Sequence, residues 1–215
     1  MNARIVVLAK APIPGTTKTR LRLPPESAAR LQEALIPDAV NKAKEIAPVT
    51  VAGTPADGLD LIAPLIPESV EIIAQVEGDF GARMFSAAHH LFDEALSPVI
   101  ILGTDAPTLP PSYIVDALLA LRSHDVSLIP SEDGGYVLIG LQKPHGAVFG
   151  NIDWSTEKVQ RQTLERTKDS GLTVFETAPW YDVDEPEDLE RLAQDLVSDP
   201  TLAPRTATVL RSLRT

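Results

Sequence analysis

Two acidic positions far apart in the sequence have the residue types needed to hold a divalent cation. Asp105 follows the apolar run 99–103 and Thr104, and prolines after it prevent a strand from continuing. Asp182 and Asp184 come just before a predicted helix with a proline in its first turn. Two carboxylates, together with phosphate oxygens and water, make an ordinary octahedral site for Mg²⁺. We therefore predict that Asp105 and Asp184 share one Mg²⁺ or Mn²⁺ ion.

Each of these acids also has a simpler interpretation. Asp105 could do no more than cap the turn before the prolines. Either Asp182 or Asp184 could merely favour the positive end of the following helix. The residues alone leave both interpretations open.

Four cationic side chains lie within thirteen residues after the first predicted strand, a high density in a chain of net charge −11: Lys10, Lys18, Arg20 and Arg22. We expect Lys18 and Arg20 to bind phosphates, and backbone groups near Ala9 and Lys10 to contact a base. The alternative is that these are solvated surface charges. Because Gly15 stands three residues before Lys18, the loop departs from the phosphate-loop pattern, and no G-x-G-x-x-G follows the strand, which argues against a dinucleotide site.

Two further segments have residue types suited to substrate binding. Residues 132–136 contain Asp133, Gly134 and Gly135, and the glycines allow a ligand to approach the backbone closely. We predict that this loop binds an acceptor, although a plain Asp-Gly hairpin turn is the alternative. Trp154 and Ser155, with the threonine after them, form a good start for a helix, and Trp154 either packs in the core or lines a pocket.

The elements that must position these residues alternate between strands and helices. Predicted strands cover residues 4–9, 49–53, 70–76, 99–103, 126–130, 136–141 and 172–175. Predicted helices begin near 25, 59, 79, 112 and 156, and a last one opens within 182–189; the first is expected to kink or split at Pro37. This order predicts a single-domain three-layer α/β/α sandwich with a mostly parallel central sheet. The domain is expected to span 1–197, with a tail over 198–215 that packs on it or extends it.

Composition excludes several classes of function. The 215 residues are 44% apolar and include no cysteine, which excludes disulfides, a thiolate nucleophile and a zinc–thiolate site. The net charge of −11 argues against nucleic acid as the main partner. No metal-ligand spacing is evident among the four histidines, and no segment is long and apolar enough to span a membrane. These features favour a cytoplasmic protein and leave its oligomeric state open.

Six blocks in one order closely resemble the bacterial rSAM/selenodomain-associated transferase family: residues 9–21, 78–84, 103–107, 132–140, 154–156 and 182–189. The resemblance covers roughly residues 4–197. That family is similar to the GT-A, nucleotide-diphospho-sugar transferase superfamily, which includes molybdenum-cofactor and phospholactate guanylyltransferases.

The resemblance implies roles for the candidate residues. Asp105 matches the metal-binding aspartate after the central strand, and Asp184 the second metal aspartate of related sugar nucleotidyltransferases. Lys18 and Arg20 would face the phosphates, with Gly15, Thr104, Trp154 and Ser155 in the nucleotide- and substrate-binding set, and 133–135 at the acceptor. Two departures stand out: Glu185 replaces a threonine cap, so its turn should be less tightly fixed, and the first loop lacks the Gly-Gly pair of guanylyltransferases.

These inferences converge on a Mg²⁺-dependent transferase that uses a nucleotide-activated donor and a small-molecule acceptor, with Asp105, Lys18 and Arg20 as catalytic residues. The family resemblance favours glycosyl transfer from a nucleoside-diphospho-sugar. Nucleotidyl transfer from a nucleoside triphosphate, with release of pyrophosphate, fits the same residues. A non-catalytic sugar-nucleotide-binding protein is the third hypothesis.

Overall fold

A seven-stranded sheet forms the centre of the molecule. The computed structural model describes residues 2–213. The strands are β1 (Arg4–Lys10), β2 (Val49–Thr54), β3 (Glu71–Ala74), β4 (Val99–Gly103), β5 (Val126–Pro130), β6 (Tyr136–Leu141) and β7 (Val174–Glu176). Their order across the sheet is β3-β2-β1-β4-β6-β5-β7, and within the described residues only β6 runs antiparallel to its neighbours.

Seven α-helices accompany the strands over residues 2–213: α1 (Pro25–Lys44), α2 (Leu59–Ile62), α3 (Phe80–Asp93), α4 (Pro111–Ala120), α5 (Val159–Asp169), α6 (Pro186–Ser198) and α7 (Pro204–Leu213). Short 3₁₀ turns lie at Thr19–Leu21, Ala56–Gly58, Ala63–Leu65, Gly146–Phe149 and Pro200–Leu202. In this part of the chain, none of the helices combines the length and the apolar character that crossing a membrane requires.

The sheet is covered on both faces, as predicted. Apolar side chains of α1 and α4 pack on one face, and those of α3 pack on the other, with α5 beside it. The five inner strands are buried and contain few polar side chains, whereas the edge strands β3 and β7 are partly exposed. The predicted three-layer α/β/α sandwich with a mostly parallel sheet is therefore confirmed.

The strand order creates a crevice at one edge of the sheet. β1 lies between β2 and β4, so the chain leaves β1 towards one side of the sheet and later returns to the other. Connections that diverge in this way open a gap beyond the carboxyl ends of the two central strands, where α/β proteins bind ligands. The pairing of Leu8 with Gly103 brings the ends of β1 and β4 side by side.

Two predicted helices differ from those observed. The first does not split: α1 continues through Pro37. A proline costs one backbone hydrogen bond, and the burial of Ile36, Ala39 and Val40 against the sheet offsets that loss. The helix expected from residue 156 begins at Val159. Residues 156–158 form a turn instead, in which the Lys158 N–H donates a 3.3 Å hydrogen bond to the Thr156 hydroxyl.

The segment after Ser198 packs on the rest of the molecule through α7. The buried Asp38 carboxylate of α1 accepts hydrogen bonds from the backbone N–H groups of Arg205 and Thr206, at 3.3 and 2.8 Å, and from the Thr206 hydroxyl at 2.8 Å. The first turn of α7 is thereby capped by a side chain from a distant helix. The division into residues 1–197 and 198–215 stays a prediction.

Candidate active site

A cleft of about 590 Å³ lies at the carboxyl edge of the sheet. The ends of β1 and β4 form its floor, and the start of β6 adds to it. The loop after β1, the first turn of α3, and the segments 154–157 and 182–184 form its walls. The cleft therefore occupies the place where the strand order predicts a ligand.

Asp105 and Asp184, hereafter the acid pair, meet in this cleft around the ammonium group of Lys18. Lys18 Nζ lies 2.8 Å from Asp105 Oδ1 and 3.5 Å from Asp184 Oδ1, and it donates a 2.7 Å hydrogen bond to the Val183 carbonyl. The Lys18 side chain is only 5% exposed. The predicted juxtaposition of the two acids beside a cation is thus present in the structure.

The loop after β1 holds Lys18 in an unusual backbone conformation. Lys18 has a φ of +51° and Arg22 a φ of +55°, and the short 3₁₀ turn between them buries Leu21. Leu21 packs with Tyr181 and Val183, so the loop is fixed to the segment that carries Asp184. Arg20 Nη1 lies 3.5 Å from Asp184 Oδ2, but the Arg20 side chain is 56% exposed, so this ion pair is weak.

Asp105 is held from three directions. The Thr104 hydroxyl donates a 3.0 Å hydrogen bond to Asp105 Oδ1, and Gln32 Nε2 of α1 donates to Thr104 Oγ1 at 3.3 Å. The Asp105 carbonyl accepts a 2.8 Å bond from the Val183 N–H. This last bond joins the two acid-bearing segments directly, although they lie 78 residues apart.

Lys42 of α1 fixes the loop that follows Asp105. Its ammonium donates to the carbonyls of Pro107 and Leu109, at 2.5 and 2.8 Å. Burial lowers the pKa of Lys42 to about 8, against the opposing effect of the Asp38 carboxylate. Nothing in the sequence around Lys42 pointed to this contact.

Lys42→Met should remove a pH-dependent part of the stability. Between about pH 8 and the ordinary pKa of 10.5, the unfolded chain binds more protons at Lys42 than the folded protein does. The free energy of unfolding should therefore rise by about 1–2 kcal/mol from pH 8 to pH 10. Urea unfolding across this range measures the rise, which should persist in Lys44→Met, an exposed lysine on the same helix. A rise of the same size in Lys42→Met would contradict this account.

Asp184 stands in a turn that α6 holds firmly. The Asp188 carboxylate accepts hydrogen bonds from the backbone N–H groups of Asp184 and Glu185, at 3.1 and 2.8 Å. The expectation that Glu185 would leave this turn less tightly fixed is therefore wrong, because an acid three residues later supplies the missing cap.

The acid pair belongs to a larger concentration of negative charge. Burial raises the pKa of Asp184, and Lys18 partly opposes this effect. Burial also raises the pKa of Asp182 to about 7, with the carboxylates of Asp133 and the acid pair adding to the shift. Asp182 lines the cleft although the sequence predicted a site role only for Asp184. Lys18 and Arg20 balance only part of this charge.

The loop between β5 and β6 forms another wall. Asp133 accepts hydrogen bonds from the Ser131 hydroxyl and, at 3.0 Å, from the Gly135 N–H. Gly134 has a φ of +91° and lies against the backbone of Glu157, and its carbonyl accepts a 2.8 Å bond from the Gln160 N–H. The loop is therefore anchored to the start of α5.

Gly134→Ala should destabilise the protein by at least about 2 kcal/mol. A Cβ there would lie only 2.8 Å from the carbonyl carbon of Glu157, which is backbone and cannot rotate away, and the positive φ adds strain. Gly171→Ala is the matched control, since φ is +69° there and nothing lies within 4 Å of a Cβ, so only about 1 kcal/mol is expected. Urea unfolding compares the two, and equal losses would contradict the close approach.

Most of the predicted site residues line the cleft: Ala9, Lys10, Lys18, Arg20, Thr104, Asp105, Asp133, Gly135, Trp154, Ser155 and Asp184. Gly15 and Gly134 are not among the lining residues. Gly15 instead has a φ of +78° in the turn of the loop, and Gly134 supports its neighbours. The roles of all these residues stay predictions.

Several lining residues had no site role in the sequence analysis: Gln75, Phe80, Arg83 and Asp182. Phe80 and Arg83 stand within block 78–84, so the resemblance was a signal for them. Asp182 adjoins Asp184. For Gln75, at the end of β3, the sequence offered no signal.

A second group of metal-ligating side chains lies away from the cleft. Glu71, His90 and Glu94 have ligand atoms within 4.8 Å of one another. Glu71 begins β3, whose other end faces the cleft, so this group lies towards the opposite edge of the sheet. The expectation that the histidines lack metal spacing overlooked the pair His90 and Glu94, four apart on one helical face.

A sequence profile of the family described as "Uncharacterized protein conserved in bacteria (DUF2064)" matches residues 38–156. This range includes Asp105 and the β5–β6 loop, whereas Lys18 and Asp184 lie outside it. A search of curated proteins found no match.

Solved structures resemble the chain over nearly its whole length. The crystal structure of a candidate nucleotide-diphospho-sugar transferase from Desulfovibrio desulfuricans G20 superposes with a TM-score of 0.90 at 29% identity, covering 98% of this chain and 94% of that one.

Two more distant structures share the fold. CMP:2-keto-3-deoxy-manno-octonic acid synthetase in complex with CTP has a TM-score of 0.58 and 14% identity, covering 92% of this chain and 99% of that one. Rv0371c from Mycobacterium tuberculosis H37Rv in complex with manganese has a TM-score of 0.56 and 14% identity, covering 89% and 97%. These two structures and the Desulfovibrio structure confirm the predicted fold, and the Desulfovibrio protein is described as a candidate transferase, the class that the sequence predicted.

Proposed function

The chain belongs to the DUF2064 family of bacterial proteins, and on that premise we propose that it is a divalent-cation-dependent transferase with a nucleotide-activated donor. Glycosyl transfer from a nucleoside-diphospho-sugar to a small-molecule acceptor is the reaction we favour. The similarity to the Desulfovibrio structure supports this choice. We also propose that the protein is cytoplasmic, as expected from the sequence. Its membership of the rSAM/selenodomain-associated family is likewise part of the proposal.

One observation carries the proposal: two carboxylates from distant segments already share a cation, the Lys18 ammonium, at the mouth of the cleft. In this proposal Lys18 is a stand-in for the divalent cation, and its contacts with both carboxylates support an acid pair arranged for positive charge. Oxygen ligands of this kind suit Mg²⁺ or Mn²⁺. The complex of Rv0371c with manganese is a precedent in the same fold.

In this proposal, different residues of the cleft bind the cation, the donor phosphates and the acceptor. The acid pair would hold the cation, which when bound would neutralise charge on the departing nucleoside diphosphate. Donor phosphates would draw the Lys18 ammonium from the acid pair, and Arg20, which is exposed at the cleft rim, would pair with a second phosphate. The β5–β6 loop, braced by Asp133, would orient the acceptor.

Nucleotidyl transfer is the second candidate, and one observation favours it. A structural relative, the CMP:2-keto-3-deoxy-manno-octonic acid synthetase, was solved with CTP. In this reaction an acceptor oxygen attacks the α-phosphorus of a nucleoside triphosphate, and pyrophosphate leaves. The same acid pair and the same cations would serve, because in both reactions a phosphate-containing group leaves and gains negative charge. In glycosyl transfer it is the nucleoside diphosphate, released as the sugar C–O bond breaks; in nucleotidyl transfer it is pyrophosphate, released as the bond from the α-phosphorus to its bridging oxygen breaks.

A product assay separates the candidates. The full chain is incubated with Mg²⁺ or Mn²⁺ and a panel of sugar nucleotides and nucleoside triphosphates, and binding is followed by melting temperature. Release of a nucleoside diphosphate from a sugar nucleotide supports glycosyl transfer, and pyrophosphate from a triphosphate supports nucleotidyl transfer. A raised melting temperature without any product would instead indicate the non-catalytic binding protein that the sequence left open.

A further inference from the structure

The sequence block 78–84 has no part in the proposed transfer, yet it lies on the cleft. Asp79 caps α3 by accepting a 2.8 Å hydrogen bond from the Ala82 N–H, which fixes the first turn of the helix. Phe80, Arg83 and Met84 then line the cleft wall opposite the acid pair's loops. The block therefore shapes a part of the cleft that still lacks a role.

Gly81 allows an aromatic wall to form here. A Cβ at Gly81 would lie 2.6 Å from Trp154 Cζ2 and 2.8 Å from the Phe149 carbonyl oxygen, so only glycine lets Trp154 lie this close to α3. Phe80 meets Trp154 edge to face, with ring centroids 5.6 Å apart at 82°. The two rings and the first turn of α3 thus form one rigid surface.

Arg83 carries a positive charge beside this surface. Its guanidinium lies 5.3 Å from the centroid of the Phe80 ring, and Nη1 donates a 3.4 Å hydrogen bond to Gln75 Oε1. Gln75 is itself fixed, because its Nε2 donates to the Ala52 carbonyl at 2.8 Å. A neutral amide orients the guanidinium without cancelling its charge.

Two donors at this place have no hydrogen-bond partner in the part of the chain that the structure describes. They are Arg83 Nε and Trp154 Nε1, and both atoms are buried. A ligand in the cleft would give these donors partners only through a shift of the two side chains, so they support the guanidinium charge as evidence and do not replace it. Among residues 2–213, none of the ion pairs joins Arg83 to a carboxylate.

Two other cations of the cleft, Lys18 and Arg20, already pair with carboxylates, whereas Lys10 donates to the Thr16 carbonyl. Lys18 and Arg20 both lie within 3.5 Å of carboxylate oxygens of the acid pair. Arg83 is thus a cleft cation whose charge is left for a ligand, in a protein that is otherwise strongly acidic.

We propose that Arg83, oriented by Gln75 and flanked by Phe80, forms a binding subsite for an anionic oxygen group, a carboxylate or a phosphate, separate from the acid pair. That this group belongs to a substrate rests on the proposed function. The substrate class then follows: one of the two substrates carries an acidic group besides the phosphates at the acid pair. A planar guanidinium fork is well matched to such a group.

Trp154 provides a reporter for the test. The chain has two tryptophans, so Trp180→Phe leaves Trp154 as the only one. The full chain with this substitution is titrated with inorganic phosphate and, separately, with malonate, in EDTA, while Trp154 fluorescence is recorded. We expect saturable binding that Arg83→Gln weakens at least tenfold and Arg83→Lys weakens less, since lysine keeps the charge but loses the fork. Arg122→Gln, an exposed arginine outside the cleft, should bind as the parent does.

A further variant tests the subsite independently of the proposed transferase reaction. Asp105→Asn should bind both anions at least as well as the parent, whatever its effect on turnover, so failure of the transferase proposal would leave the subsite standing. Equal binding by Arg83→Gln and the parent would overturn the subsite, provided urea unfolding shows the variant to be folded. Preference for phosphate over malonate, or the reverse, identifies the group.

Discussion

Asp105→Asn is expected to lower cation-dependent turnover by at least about 100-fold while the protein stays folded. The asparagine keeps the size of the side chain and an oxygen that can accept the Thr104 hydrogen bond. It removes, however, the charge that would hold a divalent cation. The backbone bond from the Val183 N–H to the Asp105 carbonyl is untouched. Since the Asp105 side chain is 43% exposed, the loss in stability should stay below about 2 kcal/mol.

Steady-state product release and urea unfolding test this expectation together. Asp116→Asn, which alters an exposed acid on α4 outside the cleft, should change neither measurement. Turnover in Asp105→Asn equal to that of the parent would rule out the role assigned to this carboxylate. The same result would leave the turn-capping interpretation of Asp105 as the better one.

Lys18→Met is expected to change two properties in opposite directions. Turnover should fall at least about 100-fold, because the cation that would pair with the donor phosphates is gone. Binding of Mn²⁺ to the free protein should instead tighten at least about tenfold, because the ammonium no longer competes for the acid pair. Lys18 contacts both carboxylates from a position that is 5% exposed, so its removal leaves Asp105 without an ion-pair partner and Asp184 with only the exposed Arg20.

Titration calorimetry with Mn²⁺, without nucleotide, measures the second effect. Lys44→Met, which removes an exposed lysine of α1, should leave both cation binding and turnover unchanged. If Lys18→Met bound Mn²⁺ more weakly than the parent, Lys18 would not be a stand-in for the cation. A loss of turnover without any change in Mn²⁺ binding would likewise show that Lys18 does not occupy the cation site.

The sequence predicted the fold well because the strands have an unambiguous composition. The runs that became β4, β5 and β6 were located to the residue, since strands buried on both faces contain almost no polar side chains. The first helix was expected to kink or split at Pro37 because the sequence shows that a proline removes a backbone hydrogen bond. The burial that offsets this loss is visible only in the folded structure. The late start of α5 was missed because residues 156–158 form a turn in which the Thr156 hydroxyl accepts a hydrogen bond from the Lys158 N–H.

The candidate site was predictable only in part. Asp105 could be placed from its strand, but its approach to Asp184 depends on the Val183 N–H bond and on α6, which join segments far apart in sequence. The family resemblance matched Asp184 to a second metal-binding aspartate, a role that the local pattern of residues left open. Lys42 and Gln75 were missed because their importance comes from neighbours that only the folded chain brings to them.

Helix α1 makes the cleft and the end of the chain a single cooperative unit. Gln32 supports the residue before Asp105, Lys42 holds the loop after it, and Asp38, between them, caps α7. Because all three contacts start from the same helix, we expect loss of the α7 contact to loosen α1 and, through it, the loops on both sides of Asp105. A chain shortened before Pro204 would keep a buried carboxylate with no donors, and its melting would begin in the very helix on which the active-site loop rests.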